Sequence, residues 1–141
     1  MVQVTFEGVR LNTEPIVARK WLRRTLLEAE TISKLSIRNS PPTGRTYLIG
    51  KGRRKHVASS PGKPPRIRSG NLWKSVKGEL LNDFEGVLGT PVKYGKYLEL
   101  GTRKMEARPY LVPALRKAIE NNVDNFPVLQ FVQFKKYKQV T

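Results

Sequence analysis

Residues 13–39 read TEPIVARKWLRRTLLEAETISKLSIRN, and the spacing within them decides the fold. Ala18, Leu22, Leu26, Ala29 and Ile32 recur at steps of three and four, the period of an amphipathic helix. Thr13 offers a hydroxyl to the first turn, and Pro15 is tolerated there because its missing N–H has no intrahelical partner anyway. Pro41-Pro42 cannot continue the helix, which therefore stops near Asn39. Arg19, Lys20, Arg23 and Arg24 fall mostly toward solvent. Upstream, Val2, Val4 and Phe6 alternate with polar neighbours at the period of a half-buried strand, and Gly8 interrupts it. A strand followed by a long helix sets one layer of each kind.

Downstream of the helix the pattern lapses. Asn39 to Gly70 holds five prolines and five glycines in 32 residues, and only Thr46-Tyr47-Leu48-Ile49 offers a short strand. Order returns at Ser69, which caps a short helix with Leu72, Trp73 and Val76 on one side. Glu79-Leu80-Leu81 and Gly86-Val87-Leu88-Gly89 read as two strands around the turn Asn82-Asp83-Phe84-Glu85. The aromatic-rich run Tyr94 to Gly101 is too short to classify. Pro109 opens a second long helix with Leu111, Leu115 and Ala118 as its apolar stripe, ending at Asn121-Asn122. Val128 to Phe134 has strand propensity and precedes the basic tail Lys135-Lys136-Tyr137-Lys138. The expected class is α+β in a single domain, 1–141. It has an N-terminal strand and long helix, a basic Pro/Gly-rich arm over 39–68, and a small antiparallel sheet packed with a C-terminal helix. A C-terminal strand and basic tail over 123–141 complete it. Leu22, Leu26, Leu72, Trp73, Leu98, Leu111 and Leu115 are the expected core.

The 141 residues include 27 Lys or Arg against 11 Asp or Glu, a net charge of +16. Twelve of those cations and no carboxylate lie between Thr31 and Gly78, so the charge belongs to one element rather than to the surface at large. Such a field attracts polyanions or acidic protein surfaces. The absence of cysteine excludes disulfides, thiol nucleophiles and thiolate metal sites, and the single His56 cannot build a multi-histidine site. No apolar run reaches the ~18 residues of a membrane span, and the N-terminus lacks a secretory pattern, so a soluble chain in a cytoplasm-like compartment is expected.

Residues for catalysis are sparse. Gly50-Lys51-Gly52-Arg53 lacks the spacing of a phosphate loop, and no nucleophile elbow or His-Glu-x-x-His is present. His56 stands among Arg53, Arg54 and Lys55, whose charge disfavours its protonation. Glu99 and Glu106 are expected to pair with Arg103 or Arg108. No enzyme, cofactor or metal is indicated.

Four features in order carry a resemblance: the strand–Gly–helix start, Ala58 to Pro65, Ser69 to Val76, and Tyr94 to Thr102 followed by Ala107 to Leu115. Over roughly Val2 to Ile119 the chain resembles the tail-component family of lambdoid-type tailed bacteriophages, the head–tail connector, neck or tail-completion proteins. The resemblance implies a non-enzymatic virion protein that assembles in the host cytoplasm as a homo-oligomeric, hexameric ring joining tail tube to head. Its implied partners are neighbouring neck and tail-tube proteins and threaded DNA, with no membrane. Ring contacts are expected from Arg53, Arg54, Lys55, Pro61, Lys63, Pro64, Pro65 and Arg66 of the arm, where the prolines pre-set the backbone and Gly62 permits a sharp turn. Tyr94, Tyr97, Glu99, Arg108 and Tyr110 are expected to join them, the tyrosines serving either an interface or packing between helix and hairpin. The competing reading is a non-sequence-specific nucleic-acid-binding protein. Against it, Tyr47 is the sole aromatic between Thr31 and Leu72, so no stacking platform is interleaved with the cations along the sequence.

Overall fold

The computed structural model describes residues 2–7, 14–123 and 133–135. Its class is the expected α+β. The long helix α1 (Pro15–Arg38) carries Pro15 in its first turn and ends at Asn39. Thr13 lies outside the described residues, and Glu14 occupies the cap position without a side-chain hydrogen bond. The foreseen face is inside: Ala18, Leu22, Leu26 and Ala29 are buried and Ile32 packs against them. Trp21 and Ile37 add to that face, and the Trp21 indole donates to the Asn122 carbonyl at 2.8 Å.

The sheet against which α1 lies is antiparallel throughout, in the order β4-β5-β1-β6. Its strands are β1 (Val2–Glu7), β4 (Lys77–Asn82), β5 (Glu85–Thr90) and β6 (Gln133–Lys135). Register follows Val4↔Leu88 and Gly78↔Leu88, and Leu88 is fully buried. Of the strand read over Val128 to Phe134, residues 128–132 lie outside the described residues, as does the tail from 136 onward. The described part pairs with β1 and stands at an edge of the sheet.

Helix α4 (Val112–Asn122) packs on α1 and closes the core with Leu111, Leu115, Ala118 and Ile119. It begins three residues later than the sequence predicts: Pro113, not Pro109, sits in the first turn. The reason is the Glu99 carboxylate, which accepts the amides of Tyr110, Leu111 and Val112 at 2.7, 3.0 and 3.1 Å. Amides just before and at a helix start have no intrahelical acceptor, and a buried anion there satisfies them and the helix dipole together. Glu99 is carried by α3 (Gly95–Leu100), the run that sequence left unclassified. The remaining helix, α2 (Asn71–Ser75), starts after Gly70 in the left-handed region, so Gly70 rather than Ser69 holds the cap position, while the Ser69 hydroxyl accepts from the Asn71 amide at 3.5 Å. Of the expected core, Leu22, Leu26, Leu72, Leu111 and Leu115 are buried, whereas Trp73 and Leu98 are half-buried at its margin.

Two carboxylates fasten α1 to its neighbours. Glu30 accepts from Lys34 at 2.6 Å and from the Gly78 amide of β4 at 3.1 Å. Burial acts to raise its pKa, but these donors and Lys77 outweigh that cost and hold it below the ordinary value. Glu28 accepts from the side-chain amides of Asn121 and Asn122 at the end of α4, both at 2.6 Å, and those hydrogen bonds lower its pKa as well.

Candidate interaction surface

The arm that composition reads as lacking structure of its own contains a β-hairpin. β2 (Thr46–Ile49) pairs with β3 (Arg54–Val57) in the register Tyr47↔His56 and Leu48↔Lys55. The ladder extends to the hairpin root, where Gly44 donates to Ala58 at 2.8 Å and Ala58 to Arg45 at 2.9 Å. Gly50, Lys51 and Gly52 all take positive φ in the turn, a conformation glycine adopts without a Cβ clash. Hairpin pairing needs no buried apolar face within the segment, so hydrophobic periodicity could not reveal it.

Beyond the hairpin the chain returns along the body. The Ser40 hydroxyl donates to the Pro64 carbonyl, Thr43 and Ser60 share a hydroxyl contact at 2.6 Å, and the Gly62 amide donates to Ala107 at 2.9 Å. Pro65 is buried by this seating and Pro64 half-buried, while Pro61, Lys63 and Arg66 stay exposed. Gly62 has the left-handed φ that its sharp turn requires.

Between hairpin and body runs an open groove of about 1000 Å³. The hairpin lines it with Tyr47, Leu48, Ile49, Arg54, Lys55 and His56. The returning chain and α2 contribute Ile67, Arg68, Leu72 and Trp73, and the α3 side contributes Tyr94, Tyr97, Leu98, Met105 and Arg108. Tyr47, Tyr94 and Tyr97 are 46%, 44% and 46% exposed, and Leu48 is 67% exposed. Apolar side chains this open, grouped on one concave surface, mark an interaction site more often than chance exposure.

The electrostatics are one-sided. Arg54, Lys55, Arg66, Arg68 and Arg108 line the groove and no carboxylate does. The ion pairs Arg19–Asp83, Lys34–Glu30 and Lys117–Glu120 all lie elsewhere. The Arg108 Nε is shielded from solvent without a partner among the described residues. His56 titrates below its ordinary value, first because it is partly desolvated and then because Arg66 and Arg68 face it. The direction matches the sequence reading, but the cations responsible are these two rather than its chain neighbours Arg53, Arg54 and Lys55.

The α3 wall is held rigidly from behind. The Tyr110 hydroxyl donates to the Gly95 carbonyl at 3.1 Å, and a Cβ on Gly95 would come within 2.7 Å of both that hydroxyl and the Thr90 methyl. Burial, then Glu99 and Tyr94, push the Tyr110 phenol far above its ordinary value, so it stays a neutral donor. Tyr110 is 1% exposed and Glu99 3%. Neither is a surface contact, and Glu99 pairs with backbone amides instead of the expected arginines. Both instead fix the helix that presents Tyr94 and Tyr97.

The structure thus keeps Arg54, Lys55, Pro65, Arg66, Tyr94, Tyr97 and Arg108 of the expected contact set together around one groove, with Arg53 at the exposed hairpin turn. It adds Tyr47, Leu48 and Met105, whose role sequence missed because they meet the others only through the fold. Aromatics and cations that are separate along the chain also come to line the same groove. Among the described residues no three His, Cys, Asp or Glu side chains could hold a metal ion, and no helix is long and apolar enough to cross a membrane. Compared with models of known families, with characterised proteins and with solved structures, the chain matches none.

Proposed function

We propose that this chain is a structural assembly protein of the tailed-phage head–tail junction, a neck or tail-completion component whose copies form a hexameric ring between tail tube and head. The observation that carries the joining role is the hairpin standing over an open, cationic and aromatic groove, a surface offered to a neighbouring neck or tail protein rather than to another copy in the ring. It combines a strand pair that meets no further strand among the described residues with the residue types that anchor interfaces. The stretches that carry the resemblance also support it, since Ala58–Pro65, Ser69–Val76, Tyr94–Thr102 and Ala107–Leu115 converge on this one region. On this reading the chain performs no catalysis and acts in the virion.

The hairpin can be removed cleanly, because Gly44 and Ala58 already meet across its root. Deletion of residues 46–57 is expected to leave a folded body that no longer joins particles. In complementation of a phage lacking the protein, electron microscopy should then show free heads and free tails. Full infectivity would overturn the proposal. The presence of aromatics and cations around one groove favours a second reading, non-sequence-specific nucleic-acid binding. That reading requires steeply salt-dependent affinity for DNA whatever its sequence.

A further inference from the structure

We infer that the groove takes an extended acidic segment of a different protein, with alternating carboxylate and apolar side chains, laid along the hairpin as an added strand. The inference rests on the assembly reading above and names the chemistry of its partner.

Three features of the groove select this occupant. The first is the backbone: among the described residues β2 pairs only with β3, so its outer edge presents main-chain donors and acceptors that an extended segment can satisfy. The second is charge, since five cations without a lining carboxylate favour acidic side chains. A second copy of this chain fits poorly, because it brings the same +16 net charge toward the same cations. The third is the apolar lining. Leu48, Ile49, Ile67, Leu98 and Met105 are aliphatic or thioether side chains, which suit the apolar residues of a peptide and would be wasted against phosphates. One face of the Tyr97 ring is also taken by the Lys96 ammonium, 5.1 Å from its centroid, which leaves a base only the other face. A strand's two-residue alternation then lets one row of side chains meet the cations while the other enters the apolar part.

The test uses the full chain and an array of peptides of about ten residues. Val, Leu or Tyr alternate in them with Asp/Glu, with Asn/Gln or with Lys/Arg. Binding is read at about 0.15 M salt, beside a fluorescent twelve-residue oligothymidylate. The acidic class is expected to bind at least about tenfold more tightly than the amide class, and the basic class not at all. Methylating alternate backbone nitrogens of an acidic binder should lose about tenfold, as should Arg54→Glu/Lys55→Glu, while Leu27→Ala on exposed α1 surface changes nothing. Circular dichroism verifies that each variant is folded.

Equal binding of acidic and amide classes overturns the charge argument, and indifference to backbone methylation overturns strand addition. Absence of acidic-class binding up to about 1 mM overturns the whole inference. Oligothymidylate binding tighter than any peptide, and weakened by Tyr47→Ala, would assign the groove to nucleic acid instead. The joining assay is separate: if the 46–57 deletion blocks joining while acidic peptides fail to bind, the assembly reading stands and this occupant is wrong. If peptides bind while joining survives the deletion, the occupant stands and the assembly reading is wrong.

Discussion

The body and the hairpin arm of this molecule are held together by different physics. In the body, α1 and α4 bury Leu22, Leu26, Leu111 and Leu115 against Leu88 of the sheet, and Glu28 and Glu30 are tied to neighbouring elements. In the arm, β2 and β3 hold each other through backbone bonds, most side chains are exposed, and no cation has an ion-pair partner among the described residues. Burial makes the body self-sufficient. The arm keeps its charge and apolar surface uncompensated, which gives no stability to the free chain and leaves that surface for a partner.

Stability measurements can break this contrast. Leu26→Ala or Leu115→Ala should cost roughly 2–5 kcal/mol in denaturant melts, since each empties a site in the packed core. Leu48→Ala should move stability by no more than about 0.5 kcal/mol. A loss at Leu48 comparable to that at Leu26 would make the arm part of the core and end the distinction.

Next in size is Glu99→Gln. It keeps the shape but weakens charge-assisted bonds to three amides, and a cost of about 1.5–3 kcal/mol is expected from the same melts. The substitution should also loosen α3, so amide exchange at Tyr94 to Leu98 should quicken along with that at Tyr110 to Val112. A neutral outcome would mean that the amides find other acceptors and that α3 is not anchored through this residue.

How much of this was legible in the sequence follows the same division. Where burial dictates structure, the pattern of apolar residues is the message: α1 and its face, the β4–β5 hairpin and the stripe of α4 were all readable from spacing. The helix start at Pro109 was misread because the deciding contact, Glu99 with the 110–112 amides, joins residues eleven to thirteen apart in sequence. The Tyr110 and Glu99 assignments failed for the same reason, since nothing local says that a tyrosine and a glutamate are mutually buried. The β2–β3 hairpin left only a faint trace, the glycine-rich turn Gly50-Lys51-Gly52 after one short strand. The groove left none. Tyr47, Trp73 and Tyr97 become neighbours of Arg54, Arg68 and Arg108 only after the returning chain is seated by Pro64 and Gly62.

The smallest expected effect is electrostatic and also separates the regions. Glu28 and Glu30 have native pKa values below the ordinary 4.5. The stability they contribute is therefore fully present above pH 4.5 and is lost as pH falls through their lower native values, because the unfolded chain binds protons first. Glu28→Gln/Glu30→Gln should flatten the fall in thermal midpoint on acidification below that point. Neutralising Arg53, Arg54 and Lys55 together should leave the same curve unchanged in shape. A flattened curve from the arm variant would show that its cations serve the body after all.

Hydrogen exchange, resolved by residue in the free chain and again in joined particles, tests the central claim most directly. The account predicts that amides of α1, β5 and α4 are strongly protected in both states. Those of residues 46–57 should exchange readily in the free chain and become protected on assembly. Unchanged exchange across 46–57 after joining, with new protection elsewhere, would contradict it: the hairpin would then be an ornament of the fold, and the docking surface would have to be sought on the body.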